Sequence, residues 1–181
     1  MLYLDFDDLR WINGYLSGDN PLSQEDLNNL KTFTFMWSMF EAKACDGNGT
    51  AQTIADFVFN KLDVNENNTS DSVIDAYFSY FKERYITDKV LNSFYYKMIR
   101  DTKEVFVRNN CEYKVSSFIG DNLLKDSTTE EDRILTCLLI PYRWRTNFFN
   151  RSQDHINVKL QYKNFSIANK IIATILLQYK N

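Results

Sequence analysis

The stretch that decides the fold is residues 130–155, EEDRILTCLLIPYRWRTNFFNRSQDH, where an apolar run is followed by three arginines. Apolar residues recur there at three- and four-residue steps, which predicts one helical stripe made of Ile134, Leu135, Leu138, Leu139, Tyr142, Arg145 and Phe149. An isolated buried charge costs several kcal/mol, so a guanidinium on this stripe must be paired or must hold an anion. The alternative is that Arg143 and Arg145 flank the core, with buried stems and solvated heads.

The beginning and the middle of this helix carry two further signals. Ser127 followed by Glu130 is a capping-box pattern, which predicts that the helix begins there. Pro141 removes one backbone donor, which predicts a kink just before the arginines. Such a kink would turn Arg143 and Arg145 toward one face; alternatively, Pro141 separates two helices.

Composition extends the helical prediction to the whole chain. The 181 residues are 44% hydrophobic and include 14 Phe and 11 Tyr, but only 5 Gly and 2 Pro. Turn signals are therefore too few for a sandwich of many strands. A chain of this length buries about 70% of its unfolded surface as one domain. We predict an all-α, single-domain helical bundle over residues 1–181.

Caps and apolar stripes predict the other helices. Ser23 with Asp26 begins a long helix in which Glu41 lies one step off the core face, either solvated or answering an arginine across the core. The remaining predictions are a short helix over 3–17 whose aromatic side packs on the body, helices capped by Thr50 and Thr87, a helix over 71–85, a broken helix over 101–125, and a last helix over 166–180 beside the arginine-bearing one.

Several classes of protein are disfavoured. The N-terminus MLYLDFDDLR is acidic and no apolar run approaches 18 residues, so we expect a cytoplasmic protein with no membrane span. Cys45, Cys111 and Cys137 lack metal-ligand spacing and predict reduced thiols, with Cys137 in the core. One histidine and no Gly-rich phosphate loop lead us to expect neither a metal nor a cofactor.

Charge is unevenly distributed along the chain. Residues 141–181 contain seven Lys and Arg against Asp154 alone, a net charge of +6, so residues 1–140 carry −9 of the total of −3. A basic end on an acidic body fits an anion or phosphate site. It fits equally well an internal docking surface, or a homodimer face, that meets the acidic part.

The segment RWRTNFFNRSQ, residues 143–153, resembles the active-site signature of HEPN domains, an all-α family of ribonucleases and nucleotide-binding proteins. A frequent form in bacterial defence and plasmid-borne members reads approximately YxxRNNLFHG, and Tyr142, Arg145, Asn147 and Phe149 fall on matching positions. Residues 33–45, FTFMWSMFEAKAC, are similar to an aromatic helix of some members. The resemblance implies metal-free RNA cleavage, with Arg145 on the phosphate, and a homodimer whose two motif helices line one cleft.

The chain departs from the family at the histidine. Asn150 stands where the family has His, and Arg151 where it often has Gly. An amide does not titrate near neutral pH and cannot act as a general acid or base. Three explanations remain open: the chain binds without cutting, its only histidine, His155, reaches the site from the following loop, or Asn150 inactivates an otherwise active nuclease.

Two functions therefore stand as hypotheses. The first is a HEPN-like protein of a toxin–antitoxin or antiphage system that binds RNA or a nucleotide, either a metal-independent endoribonuclease or a non-cutting relative. Its site candidates are Arg145 and Asn150 as catalytic residues and Arg143, Asn147, Arg151 and His155 as substrate-binding residues. The second is a non-catalytic interaction or antitoxin-like module whose basic C-terminal face docks an acidic surface of its own copy or of another protein.

Overall fold

The chain is mostly helical. A computed structural model describes residues 6–16, 21–63, 70–150 and 158–179, which form eight helices and two small antiparallel hairpins. The elements are α1 Asp8–Leu16, α2 Gln24–Ala44, α3 Ala51–Asn60, α4 Ser70–Tyr85, β1 Ile86–Thr87, β2 Val90–Leu91, α5 Ser93–Ile99, β3 Val105–Arg108, β4 Cys111–Lys114, α6 Val115–Leu124, α7 Glu130–Asn150 and α8 Val158–Tyr179.

Helix α7 is the centre of the fold. Its residues 134–144 are all buried, as expected of a helix that is packed on every side rather than along one stripe. Helices α3, α4, α5, α6 and α8 contact it, and α2 packs against α8. Pro141 lies inside this single helix, so the alternative of two helices separated at Pro141 is wrong. The predicted last helix is confirmed beside α7, and its described backbone begins earlier, at Val158.

Aromatic rings fill the core around α7. Phe33 of α2 stacks on Phe165 of α8 at 4.9 Å between centroids, and Phe40 meets Phe57 edge-on at 5.6 Å. Cys137 is buried as predicted, and the three cysteines are free thiols. The high Phe content therefore serves the packing between helices.

Side-chain caps fix where the helices begin. The capping box of Ser23 and Asp26 is confirmed, and Thr50 caps α3 as predicted. At α7 the amide of Asp132 donates to Thr129 Oγ1 at 3.2 Å, and the helix begins at Glu130. The predicted cap at Ser127 is therefore wrong by two residues.

The first hairpin corrects the prediction that Thr87 caps a helix. Thr87 ends strand β1, and the turn residues Asp88 and Lys89 have φ values of 51° and 62°. Asn92 caps α5 instead, because its side-chain oxygen accepts from two amides of the first turn.

The second hairpin replaces the first half of the broken helix predicted over residues 101–125, whereas the second half is helical as α6. Strands β3 and β4 pair with Arg108 opposite Cys111, and Asn109 and Asn110 form the turn with φ values of 50° and 61°. Asparagine tolerates this left-handed region better than most residues, so it suits a two-residue hairpin turn. The side-chain amide of Gln52 bonds both the N–H and the C=O of Val107 on the outer edge of β3.

Helix α1 keeps its aromatic side outward, so the prediction that this side packs on the body is wrong. Phe6, Trp11 and Tyr15 are all more than half exposed, and the last two rings stack at 5.3 Å. A polar contact holds α1 instead: the Asn13 amide donates to the carbonyl of Leu22 and accepts from its N–H. Within the described ranges, no helix is long and apolar enough to cross a membrane.

Candidate functional site

The site candidates lie on the second half of α7. Successive helical residues are rotated by about 100°, so Arg143 and Arg145 are separated by roughly 200° around the axis. Arg145 faces α2, whereas Arg143 faces α5 and the segment before β3. The two guanidinium groups therefore do not converge on one groove.

Arg143 is the buried arginine. The residue is only 3% exposed, and its Nη1 lies 3.3 Å from Glu104 Oε1. Its Nη2 donates to Asn147 Oδ1 at 3.2 Å, and Asn147 Nδ2 donates to the Met98 carbonyl at 2.7 Å. These contacts tie α7 to α5 and to the segment before β3. Arg143 and Asn147, predicted as substrate-binding residues, are thus engaged in contacts within the fold.

Arg145 is partly open to solvent. About a third of its side chain, 35%, is exposed, and its Nη2 lies 3.3 Å from Glu41 Oε1. Its guanidinium carbon is 5.6 Å from the centroid of the Trp37 ring. Of the two interpretations of Glu41, the one that pairs it with an arginine is therefore correct.

The Glu41 carboxylate is held from a second direction. The amide of Gly49 points at Glu41 Oε1 from 3.3 Å. A Cβ at position 49 would lie 2.8 Å from the same oxygen, so glycine leaves the space that this carboxylate occupies. The loop after α2 thus positions the acid that Arg145 meets.

A pocket of about 250 Å³ lies beside Arg145. Its wall consists of Phe33, Thr34, Trp37, Ser38 and Arg145. The Trp37 indole N–H is buried, and among the residues that the structure describes it has no hydrogen-bond partner. An unpaired buried donor is costly, so a pocket lined by such a residue and by an arginine favours a ligand that accepts hydrogen bonds.

The remaining candidates fall outside the description. Asn150 is the last residue of α7, and its side chain is not among the described ones. Arg151 and His155 also lie outside the described residues, so whether His155 reaches the site stays a prediction.

Tyr142 offers no proton transfer near neutral pH. Burial raises the pKa of its hydroxyl to about 12, and the negative charge of Glu104 adds to the shift. General acid–base work is most efficient when the pKa of the group lies near the working pH. Near neutral pH Tyr142 is therefore limited to hydrogen bonding. Across the described ranges, no three His, Cys, Asp or Glu side chains converge as a metal site.

Glu104 and Trp37 are the site residues that sequence reasoning missed. Glu104 lies 39 positions from Arg143 and has no local signal that marks it as a partner. Trp37 is buried on α2, and it also lines the pocket beside Arg145. The signal that could have marked Trp37 is its place in residues 33–45, the stretch that is similar to an aromatic helix of some HEPN members.

No protein-family model, curated protein or solved structure matches this chain.

Proposed function

We propose that this chain is a HEPN-like, RNA-directed protein of a toxin–antitoxin or antiphage system that binds RNA without cutting it. The observation that carries the proposal is the pocket lined by the partly exposed guanidinium of Arg145 and by Trp37, whose buried indole N–H has no hydrogen-bond partner among the described residues. Both groups donate hydrogen bonds and neither can accept one. An RNA phosphate supplies the negative charge and the acceptor oxygens that such a pair requires.

The helical order supports the family part of the proposal. The motif residues Tyr142, Arg145 and Asn147 lie at the end of an apolar central helix, α7, which precedes a final packed helix, α8. The resembling stretch of α2 lies across from them, because Glu41 and Arg145 meet.

The non-cutting part of the proposal rests on the residues of the motif. Asn150 replaces the histidine and cannot transfer a proton near neutral pH. The phosphate must also displace Glu41 from Arg145. In that pair Arg145 Nη2 lies 3.3 Å from Glu41 Oε1 and the arginine is partly exposed, and exposed pairs contribute about 0–1 kcal/mol. A phosphate diester can therefore compete for the guanidinium.

The test is binding of labelled single-stranded RNA to the full chain in the presence of EDTA. We expect salt-sensitive binding with intact RNA, and an affinity about tenfold lower for Arg145→Ala, because a hydrogen bond to a charged group is lost. The slope of log affinity against log salt should fall by about 0.7, the value for one phosphate contact on a single strand.

Two variants sharpen the test. Trp37→Phe keeps a ring but removes the N–H, so it should weaken binding without changing the salt slope. Arg10→Ala removes an exposed arginine from α1 and should bind as the parent does. Equal affinities for Arg145→Ala and Arg10→Ala would refute the pocket, and RNA cleavage by the parent that Arg145→Ala abolishes would refute the non-cutting assignment.

The interaction module is the second candidate. The observation that favours it is that both described arginines of the basic C-terminal segment already contact carboxylates, Arg143 with Glu104 and Arg145 with Glu41. A segment that recognises acids within the chain can recognise acids on a second copy. Sedimentation of a stable dimer that binds no RNA at low salt would support this candidate and exclude the first.

A further inference from the structure

A second basic surface lies on the segment that joins α4 to β3. Residues 82–103 contain six Lys and Arg against three Asp and Glu, a net charge of +3 within a chain of −3. The segment includes the end of α4, the β1–β2 hairpin and α5. A local excess of positive charge on an acidic chain favours a polyanionic partner.

An exposed ring lies at the centre of this surface. Phe94 of α5 is 57% exposed. The guanidinium carbon of Arg84 lies 5.8 Å from its ring centroid, and Lys97 Nζ lies 6.0 Å from it. Two cations from different helices therefore lie near one exposed aromatic ring, and we call this group the Phe94 platform (Arg84, Phe94 and Lys97).

The two cations are not engaged by acids. Across the described residues neither Arg84 nor Lys97 forms an ion pair, in contrast to Arg143 and Arg145. Arg84 Nη1 donates instead to the Tyr80 hydroxyl at 3.5 Å, and its guanidinium carbon also lies 5.7 Å from the centroid of the Tyr85 ring. Their positive charge is therefore available to a ligand.

The platform is built on rigid elements. Asn92 caps α5 by accepting from the amides of Phe94 and Tyr95, which fixes the backbone that carries the ring. Tyr95 is buried, and its hydroxyl donates to the Ser116 carbonyl of α6. Little side-chain and backbone freedom remains to be lost when a flat ligand stacks on the ring.

We infer that the Phe94 platform is a second RNA contact, where one base stacks on the ring and the neighbouring phosphates lie beside Arg84 and Lys97. The inference rests on the proposed function in that the ligand is RNA. Proteins that bind single-stranded nucleic acids combine exposed aromatic rings with nearby cations, because every base has a flat face and every linkage has a negative charge. An acidic protein surface would use the cations but would not require a planar ring.

The two RNA contacts lie on different sides of α7. Asn147 donates to the Met98 carbonyl and so joins α7 to α5, which carries the platform, whereas Arg145 faces α2. Substitutions at the platform and at Arg145 can therefore be scored separately. This separation makes failure of the inference distinguishable from failure of the proposed function.

The experiment measures binding of labelled oligouridine and oligoadenosine by the full chain. Phe94→Leu keeps apolar volume and loses the flat ring, so we expect about tenfold weaker binding with an unchanged salt slope, while Phe94→Tyr retains the parent affinity. Arg84→Gln combined with Lys97→Gln should lower the salt slope by about 1.4, twice the value for one phosphate. Tyr15→Leu on α1 and Lys43→Gln on α2 are exposed controls and should bind as the parent does.

Each outcome decides one question. Parent-like affinity of Phe94→Leu together with weak binding of Arg145→Ala would overturn the platform and leave the proposed pocket standing. The reverse pattern would support the platform and overturn the pocket. Absence of RNA binding by the parent chain at low salt would overturn both. A platform that binds an acidic peptide equally well in the parent and in Phe94→Leu would show a charge-only surface and overturn the stacking role.

Discussion

Arg143 joins three parts of the molecule through one guanidinium. It contacts Glu104 before β3 and Asn147 on α7, and Asn147 in turn bonds α5. Arg143 is buried, whereas the Glu104 side chain is 34% exposed, so removing the guanidinium costs mainly its packing and its charge-assisted hydrogen bonds.

Arg143→Ala is therefore expected to lower the free energy of unfolding by about 2 kcal/mol, as measured by urea denaturation followed by circular dichroism. The matched variant is Arg145→Ala, which removes a partly exposed pair and should cost less than about 1 kcal/mol. Equal losses for the two variants would contradict the assignment of Arg143 to the interior.

Glu41 competes with any anion for Arg145. We expect Glu41→Gln to raise the affinity for single-stranded RNA about threefold, because the neutral amide attracts the guanidinium less strongly than the carboxylate does. Fluorescence anisotropy measures the change, and Glu25→Gln, an exposed acid at the start of α2, is the control. Weaker binding by Glu41→Gln would mean that the carboxylate positions Arg145 for RNA instead of competing for it.

Asn150→His restores the residue that the HEPN motif carries. If the resemblance is right, this variant gains metal-free RNA cleavage whose rate changes through about pH 6.5, the ordinary pKa of histidine. Denaturing gels in EDTA measure the gain, and adding Arg145→Ala to the variant should remove it. A variant that leaves RNA intact from about pH 5 to about pH 8 would argue against the resemblance.

Sequence patterning identified the right stretch but exchanged the roles of its arginines. Helical spacing put Arg145 on the core stripe, whereas Arg143 is the buried one. The stripe could not separate them, because α7 is buried on all sides from 134 to 144 and has no solvent face there. The partner Glu104 comes from a distant segment, and such pairing is decided by the tertiary structure.

At the scale of the elements, the beginning of α7 offers a direct test of a cap. Thr129→Ala should lower the free energy of unfolding by about 1 kcal/mol, because the amide of Asp132 loses its side-chain acceptor. Ser127→Ala, two residues before it, should leave stability unchanged. Urea titrations of the two variants compare the observed cap, Thr129, with the predicted cap, Ser127. A loss of stability in Ser127→Ala but not in Thr129→Ala would show that Ser127 is the cap.

The helices were more predictable than the hairpins for a local reason. A cap such as Ser23 and the apolar spacing that follows it are contained within a few residues of sequence. Strands β1 and β2 are two residues long, and their turn contains Asp88 and Lys89 without a glycine, so no short-range signal marks them. The Asn109–Asn110 pair is a turn signal, but the β-prone runs on either side of it are too short to predict two paired strands.

At the scale of the whole molecule, the aromatic core predicts sensitivity to alkali. Burial raises the pKa of Tyr85 to about 12 from a model-peptide value of 10.0. Between these values the folded chain holds a proton that the unfolded chain has released, so stability is complete below about pH 10 and is lost as the pH rises toward about 12.

Tyr85→Phe is accordingly expected to reduce the alkaline slope of the unfolding free energy by up to about 1.4 kcal/mol per pH unit. Urea titrations from about pH 8 to about pH 11 measure this slope. Tyr85→Phe also loses the hydrogen bond that Trp144 Nε1 donates, but that loss is the same at every pH and does not change the slope. Tyr96→Phe, whose ring is exposed, is the control. An unchanged slope in Tyr85→Phe would contradict the burial of this hydroxyl.

The uneven charge of the chain is partly resolved inside the fold. Two of the seven basic residues of the C-terminal segment, Arg143 and Arg145, meet Glu104 and Glu41 of the acidic part. The sequence shows the charge imbalance but not which acid pairs with which arginine, because that depends on where the fold places α2 and the segment before β3 relative to α7.

Gln52 imitates a neighbouring strand. Its amide oxygen accepts from the Val107 N–H at 2.7 Å and its amide nitrogen donates to the Val107 carbonyl at 3.1 Å, so an approaching backbone finds both positions taken. Glutamate at position 52 could accept from the Val107 N–H but could not donate to the Val107 carbonyl, and alanine would leave both groups without a side-chain partner. Without this amide, the outer edge of β3 would present a free N–H and a free C=O, with which a strand of a second copy of the chain could pair.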